Sequence, residues 1–330
     1  MLTRDALIGA LADGRIHSGS SLALALGLSR SAVWKQVHRL GEIGLEIDVV
    51  PGRGYRLREP LDLLDQARIQ AAVGVMAMAG CESLEVAGIT ESTSAALIAA
   101  SPPAVGRWRA LLAEYQSAGR GRRGRRWVSP YASGLCLSLA WSFATAPRDL
   151  PALSLAVGVA VRRTLAACGA GAVQLKWPND VVLGGAKLGG ILVDVEGDAR
   201  GPLRAVVGLG LNLTVPDSLR QAVLAEAGLP PGGLDAAVLA QAGGRNGLAA
   251  ALLAAIHDLL AAFARHGFAP LADEWRRHDH LCGQTVTVRS GATEATGVAR
   301  GIAADGALLV EGPAGIAAVF AGDVTLRNEP

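Results

Sequence analysis

Gln116-Ser117-Ala118-Gly119-Arg120-Gly121-Arg122-Arg123-Gly124-Arg125-Arg126-Trp127 is the stretch on which the reading of this 330-residue chain turns. Gly119, Gly121 and Gly124 match the GxGxxG spacing of a dinucleotide-binding turn. Such a turn must run straight into a helix packed on its strand. Here the chain continues as Trp127-Val128-Ser129-Pro130, which cannot open one. A GxxxxGK[ST] phosphate loop is absent as well. What remains is five arginines within residues 120–126, on a glycine-rich backbone. So much like charge is tolerable only where it is solvated or meets an anion. Guanidinium forks pair bidentately with phosphate oxygens, so polyphosphate fits better than a solvated basic loop or a second nucleic-acid patch. The glycines also predict a loop that is loose when empty and ordered by ligand.

Two further motifs lie downstream. Of 31 basic residues only Lys35, Lys176 and Lys187 are lysines, which leaves 28 arginines and makes each lysine worth weighing. Val173–Lys176 reads as a strand leading into Lys176-Trp177-Pro178-Asn179-Asp180, where Pro178 biases Trp177 away from helix and Asn179-Asp180 supplies turn chemistry. Gly184-Gly185 then turns the chain back, so Lys187 enters the strand Leu188–Val193. The expectation is two lysines on neighbouring strands of one hairpin, near glycines that permit close backbone approach to a phosphate or carboxylate. Either lysine alone would read as an ordinary surface residue. Upstream, Glu91-Ser92-Thr93-Ser94 precedes a helical run, Ala95–Ala100. Its hydroxyls either cap the helix or meet a polar ligand head. Val206–Leu213 reads as a buried strand with one polar residue, Asn212, which must form a turn or face a ligand.

The first 60 residues read as a winged helix-turn-helix. Thr3 caps a helix bearing Leu7, Ile8 and Leu11; Ser20–Leu26 makes a second, Gly27 the turn, and Ser29 the cap of a third. Val33, Val37 and Leu40 form an apolar stripe on that third helix. Ser31, Lys35 and His38 fall on the opposite face with Arg30 and Trp34 beside it, the layout of a recognition helix. Leu45, Ile47 and Val49 alternate as a strand, and Pro51-Gly52-Arg53-Gly54 turns into a second, which puts Arg53 at a wing tip. Residues 1–58 carry eight basic against five acidic side chains, a local excess of three, so DNA binding is favoured over a packing role. Residues 281–330 show short strands separated by glycine, from Thr285–Arg289 to Val324–Arg327, the pattern of a small β-barrel. Residues 61–280 make the central unit, and Gly228–Gly233 is expected to be a surface loop.

Composition bounds the rest. A chain 51% apolar and 18% charged can bury a large core and is not a mainly disordered protein. Its net charge of +2 gives no bulk argument for nucleic acid. Cys81, Cys136, Cys168 and Cys282 show no CxxC spacing and are expected to be reduced, buried thiols in a cytoplasmic protein. Met1–Ala12 does not read as a signal peptide, and the uncharged run Trp127–Pro147 is too broken to span a membrane.

Taken in order, GRGRRGRRW, KWPND, the KLGGILV stretch from Lys187 and GLGLN resemble the bacterial biotin–protein ligases. With SRSAVWK and VPGRGYRL at the N-terminus, the chain is similar to the bifunctional branch that also represses the biotin operon. The resemblance implies an α+β multidomain chain: a winged helix (1–60), a central mixed α/β ligase domain of the biotin/lipoate ligase type (61–280) and an SH3-like barrel (281–330). It implies ATP-dependent formation of biotinyl-5′-AMP, then transfer of biotin to a lysine of the biotin carboxyl carrier protein of acetyl-CoA carboxylase. By that analogy Ser92, Thr93, Ser94 and Gln116 bind the biotin head. Arg120, Gly121 and Arg122 belong to a loop that closes over biotin and the phosphates. Lys187 contacts the biotin carboxylate and α-phosphate. Trp127, Lys176, Asn179, Asp180 and Asn212 line the nucleotide and Mg²⁺ side; no metal ligand is assigned. Ser94 departs from the Asn or Gln usual in the family. Operator DNA and an adenylate-dependent homodimer are the further partners implied, with no membrane. A lipoate–protein ligase, a biotin-sensing transcription factor without catalysis, and a ligase that no longer binds DNA are the alternatives. Six histidines form no nucleophile–base pattern, which suits a carboxylate nucleophile needing no general base.

Overall fold

The computed structural model describes residues 2–198, 201–223, 229–290 and 293–326. The apolar stripe of the third helix seeds the first core. There α1 (Leu2–Leu11), α2 (Gly19–Leu26) and α3 (Arg30–Leu40) bury Leu7, Ile8, Leu11, Val33, Val37 and Leu40 together. Ser18 and Ser29 cap α2 and α3, their hydroxyls accepting from the Ser21 and Ala32 amides, and Gly27 closes α2 at φ 65°. Thr3 lies inside α1 instead of capping it, because Leu2 already belongs to the helix. β1 (Ile47–Val50) and β2 (Gly54–Leu57) pair antiparallel, with Arg53 exposed at the turn.

The second unit carries α4 (Gln66–Val73), α5 (Val75–Ala79), β3 (Cys81–Thr90), α6 (Thr93–Ala99), β4 (Trp108–Gln116), β5 (Gly134–Phe143), α7 (Leu153–Ala167) and β6 (Gln174–Lys176). It continues through β7 (Asp180–Leu183), β8 (Ala186–Gly197), β9 (Leu203–Asn212), α8 (Asp217–Val223), α9 (Ala236–Gln241), α10 (Gly244–His266) and α11 (Ala272–Arg277). The seven strands form one sheet in the order β3-β4-β5-β9-β8-β7-β6, parallel between β3 and β4 and antiparallel elsewhere. Every residue of β5 is buried, which accounts for its long uncharged run. Leu139 and Trp141 of β5 face the core under α7 and α10, while Ala140 faces Leu97 of α6, so both sheet faces are covered. Residues 150–167 and 244–266 are long and apolar enough to cross a membrane, yet both bury much of their surface in this core.

The third unit is a five-stranded antiparallel sheet of β10 (Thr285–Ser290), β11 (Thr293–Ile302), β12 (Leu308–Gly312), β13 (Gly315–Val319) and β14 (Asp323–Leu326), in the order β13-β12-β11-β10-β14. Arg327, expected to end the last strand, lies outside the described residues. Val286, Val288, Ile302, Leu308 and Val324 continue the core of the central sheet, and the Trp177 indole N–H donates to the Gly306 carbonyl at 3.0 Å.

The winged helix is tied down just as firmly. Tyr131, on the loop after the arginines, is buried in the winged-helix core, and its amide donates to the Ile43 carbonyl at 2.9 Å. The connecting segment is clasped by the start of α10: Arg245 donates to the Asp62 carbonyl at 2.5 Å and pairs with buried Glu114 at 2.7 Å, and Asn246 donates to the Leu63 carbonyl at 2.9 Å. The cysteines depart from expectation. Only Cys136 is fully buried; Cys81 and Cys168 are partly buried and Cys282 is exposed, because three of the four lie at element ends or in connections.

Candidate active site

A cavity of about 480 Å³ opens where β8 and β9 meet the arginine loop. Its closed end is neutral. Gln116, the last residue of β4, accepts at Oε1 from the Thr93 amide (2.8 Å) and the Thr93 hydroxyl (3.1 Å). Ser138 of β5 touches both Thr93 Oγ1 (2.7 Å) and Ser94 Oγ (3.0 Å). Ser92 is placed differently. Its hydroxyl caps α6 by accepting from the Ala95 amide, and it does not line the cavity. The capping alternative therefore holds for Ser92, while Thr93 and Ser94, on the first turn, face the cavity.

The floor is bare backbone. Gly189 and Gly190 of β8 pair with Leu211 and Gly210 of β9, and Gly208 of β9 pairs with Ser138. A Cβ on Gly208 would stand 2.6 Å from Ser94 Oγ, and one on Gly210 would run into the Trp127 ring. Trp127 therefore lies flat over strand backbone. Its indole N–H is buried without a partner among the described residues, an orphan donor that a ligand could satisfy.

The cationic side differs from expectation in one respect. Lys176 on β6 and Lys187 on β8 are not on adjacent strands, because the Asn179-Asp180 turn makes β7 first and inserts it between them. Asp180 thereby stands between two ammoniums, 2.7 Å from Lys187 Nζ and 3.6 Å from Lys176 Nζ. Lys176 also donates to the Val324 carbonyl of β14 at 2.9 Å; burial pushes its ammonium below the usual lysine range, against the pull of Asp180. Asn179 spends its amide N–H on the Ile191 carbonyl (2.7 Å), which leaves its oxygen facing Arg122. The Asn212 side chain lies 3.4 Å from the Lys187 carbonyl. Gly228–Gly233 is more than a surface loop. Gly228 lies outside the described residues, but the Pro230 carbonyl accepts from the Lys187 amide at 2.7 Å and the Gly232 amide donates to the Lys187 carbonyl at 2.8 Å.

The arginine loop is the roof, and it holds anions from two directions. Arg120 forks onto Asp194 of β8 with both bonds at 3.3 Å, while Arg123 and Arg125 pair with Asp323 of β14. Among the described residues Arg122 reaches only neutral oxygens, Asn179 Oδ1 and the Gly322 carbonyl, both at 3.4 Å, and burial lowers its guanidinium below its ordinary value. Arg123 adopts φ 55°, a left-handed conformation that the neighbouring Gly124 shares at φ 75°. Sequence reasoning missed Asp194, Asp323 and Ser138. For Ser138 a signal existed: a lone hydroxyl inside Gly134–Phe143 needs a partner for the reason given for Asn212.

Arg30, Ser31, Trp34, Lys35, His38 and Arg53 stand apart from this cavity, all exposed on the winged helix. The His38 ring bonds to the Trp34 carbonyl at 2.9 Å, with the two rings 4.1 Å apart.

A glycine-floored pocket with a hydroxyl end, a lysine-flanked carboxylate and an arginine roof, joined to a winged helix, defines a ligase of the biotin/lipoate fold carrying a DNA-binding module. Residues 107–212 match the biotin/lipoate A/B protein ligase family, residues 5–56 an HTH domain and residues 281–327 the biotin protein ligase C-terminal domain. The chain is 36% identical to the bifunctional ligase/repressor BirA of Salmonella typhimurium, over 98% of this chain and 97% of that one. It is 35% identical to the biotin–[acetyl-CoA-carboxylase] ligase of Paracoccus denitrificans, over 71% and 97%. The Aquifex aeolicus biotin protein ligase, solved with biotin and ATP, shares the fold at a TM-score of 0.58 and 24% identity, over 75% of this chain and 100% of that one. The chain belongs to the biotin protein ligase family, in its bifunctional ligase/repressor branch.

Proposed function

We propose that the cavity binds biotin and ATP side by side, joins them as biotinyl-5′-AMP with release of pyrophosphate, and passes the biotinyl group to a carrier-protein lysine with release of AMP. The observation that carries this reading is the position of Lys187, gripped by Asp180 and lying between a neutral hydroxyl end and an arginine roof in one cavity. A carboxylate and a triphosphate repel, so their union needs cations fixed in advance where the two meet. Lys187 serves at the biotin carboxylate and α-phosphate, while Arg120, Gly121 and Arg122 close over both ligands. Thr93, Ser94 and Gln116 take the biotin head; Trp127, Lys176, Asn179, Asp180 and Asn212 take the nucleotide side. The roof has a second purpose, keeping water from the acyl-adenylate until the acceptor arrives.

Asp180 and Asn179 do not fit a Mg²⁺ site as they stand: the two Asp180 oxygens face the Lys187 and Lys176 ammoniums and the Asn179 oxygen faces Arg122. A Mg²⁺ accompanying ATP would be held by the phosphates and its own waters and would neutralise phosphate charge when bound. The winged helix presents Arg30, Ser31, Trp34, Lys35, His38 and Arg53 to operator DNA. Adenylate that orders the loop favours a homodimer by linkage, which places two such helices on paired half-sites.

The test is an ATP-dependent labelling assay with biotin and a carrier domain, run beside Lys187→Ala. Biotin-dependent labelling that the substitution abolishes supports the assignment; labelling driven by lipoate instead would refute it. Gel filtration with and without biotin plus ATP tests the dimer, and an unchanged apparent mass would count against it.

A further inference from the structure

We infer that Ser138 relays to Ser94 a proton order set by Gln116 and so makes the closed end of the cavity selective for a head group that brings N–H donors. The inference rests on the reading of that end as the biotin-head site.

The proton directions follow from bonding rules alone. The Thr93 backbone N–H can only donate, so the Gln116 atom 2.8 Å away is the amide oxygen. That oxygen can only accept, so the Thr93 hydroxyl, 3.1 Å from it, spends its single proton there. Ser138 Oγ is 2.7 Å from Thr93 Oγ1, and with the Thr93 proton committed the contact exists only if Ser138 donates. The Ser138 proton is then committed in turn, so Ser94, 3.0 Å away, must donate to Ser138. Protons run Ser94 to Ser138 to Thr93 to Gln116. Ser138 is fully buried and Ser94 nearly so, which leaves no bulk water to reverse the order.

The consequence lies at the free end. Ser94 lines the cavity with its proton turned inward, so it offers lone pairs only. The absence of a Cβ on Gly208 is what lets Ser94 sit there. A head group with N–H donors, such as a cyclic urea, satisfies these lone pairs. A dithiolane ring leaves them buried and unpaired, which is the kind of mismatch that discriminates strongly. Ser138 is thus a positioning residue acting through Ser94, with Thr93 held by Gln116.

The experiment measures biotin-dependent ATP–pyrophosphate exchange for the full chain, Ser138→Ala and Ser94→Ala, with biotin and with a biotin methylated at its ureido nitrogens. With Ser138→Ala, KM for biotin should rise by about ten- to a hundredfold, as expected for one unsatisfied buried group. The maximal rate and KM for ATP should stay within about twofold, and the preference for biotin over the methylated ligand should largely collapse. Ser94→Ala should collapse the preference in the same way while leaving the Thr93–Ser138 pair in place. Equal losses on both ligands, or an unchanged KM, would overturn the proposal. A wild-type chain showing no exchange with biotin would instead overturn the assignment of the head site, and this inference with it.

Discussion

Replacing Lys187 by Met separates electrostatics from packing, because Met keeps the apolar stem and removes only the ammonium. The ion pair it deletes, at 2.7 Å, is worth about 6 kcal/mol gross at an effective dielectric of about 20. Little of this should appear as lost stability. Lys187 is about one-third exposed, and Lys176 still stands 3.6 Å from the other Asp180 oxygen, so the carboxylate is not orphaned. A loss of about 1–2 kcal/mol, a shift of a few degrees in Tm, is expected. Catalysis should suffer far more. A preorganised charge aimed at developing negative charge is worth about a hundred- to a thousandfold in rate. Biotin-dependent ATP–pyrophosphate exchange reads the first step alone, and calorimetry reads the fold. Exchange within tenfold of wild type would refute the assignment of Lys187, and a fall in Tm beyond about 10 °C would show that its role is structural.

Arg122→Gly removes a guanidinium that bonds to the Asn179 side chain and the Gly322 carbonyl, so adenylation should stay partly active while the adenylate dissociates about ten- to a hundredfold faster. Chasing labelled adenylate from the purified protein checks this, and unchanged retention would count against it. Burial pushes Asp279 up to about 6, a cost borne by the charged form, so the folded state loses stability as pH climbs from about 4 to about 6. Asp279→Asn, which still accepts from the Leu281 amide, should therefore be more stable than wild type at pH 7.5 by at most about 3 kcal/mol, with the difference vanishing near pH 4. Denaturant titration at both pH values decides it. Truncating Tyr131 to Ala opens a cavity in the winged-helix core worth about 3–5 kcal/mol. A separate low-temperature calorimetric transition should appear, and a single unshifted one would contradict the tie between loop and winged helix.

The winged helix was legible because its signals are local: Ser29 before α3, Gly27 after α2, and a stripe at helical spacing. The arginine loop was legible for a similar reason, since its charge density has few uses. Placing Lys176 and Lys187 required knowing which strand pairs with which, and β7 is short enough to hide inside a presumed turn. Asp323 was invisible as a site residue because nothing local to Ala321–Val324 says that β14 will face a loop some 200 residues away. Ser92 was legible as a cap and Thr93 as a polar neighbour, but only the register of α6 on β5 decides which hydroxyl meets Ser138.

Charge shows the same division between local and global information. The cavity wall carries Arg120, Arg122, Arg125, Arg126, Arg289, Lys176 and Lys187 against Asp180 and Asp323, seven cations and two anions, a surplus of five. The whole chain has a surplus of two, so everything outside that wall sums to minus three. A nearly neutral chain therefore concentrates its positive charge in one concave place, where low-dielectric walls magnify it. The aspartates do not cancel this charge so much as fix it in position: Asp180 holds Lys187 and Lys176, Asp194 holds Arg120, and Asp323 holds Arg123 and Arg125. Among the described residues, Arg122 and Arg126 bond only to amide and carbonyl oxygens. Among the described arginines of the wall and its loop, these two form no ion pair with a carboxylate, so they are the ones with most to gain from a phosphate.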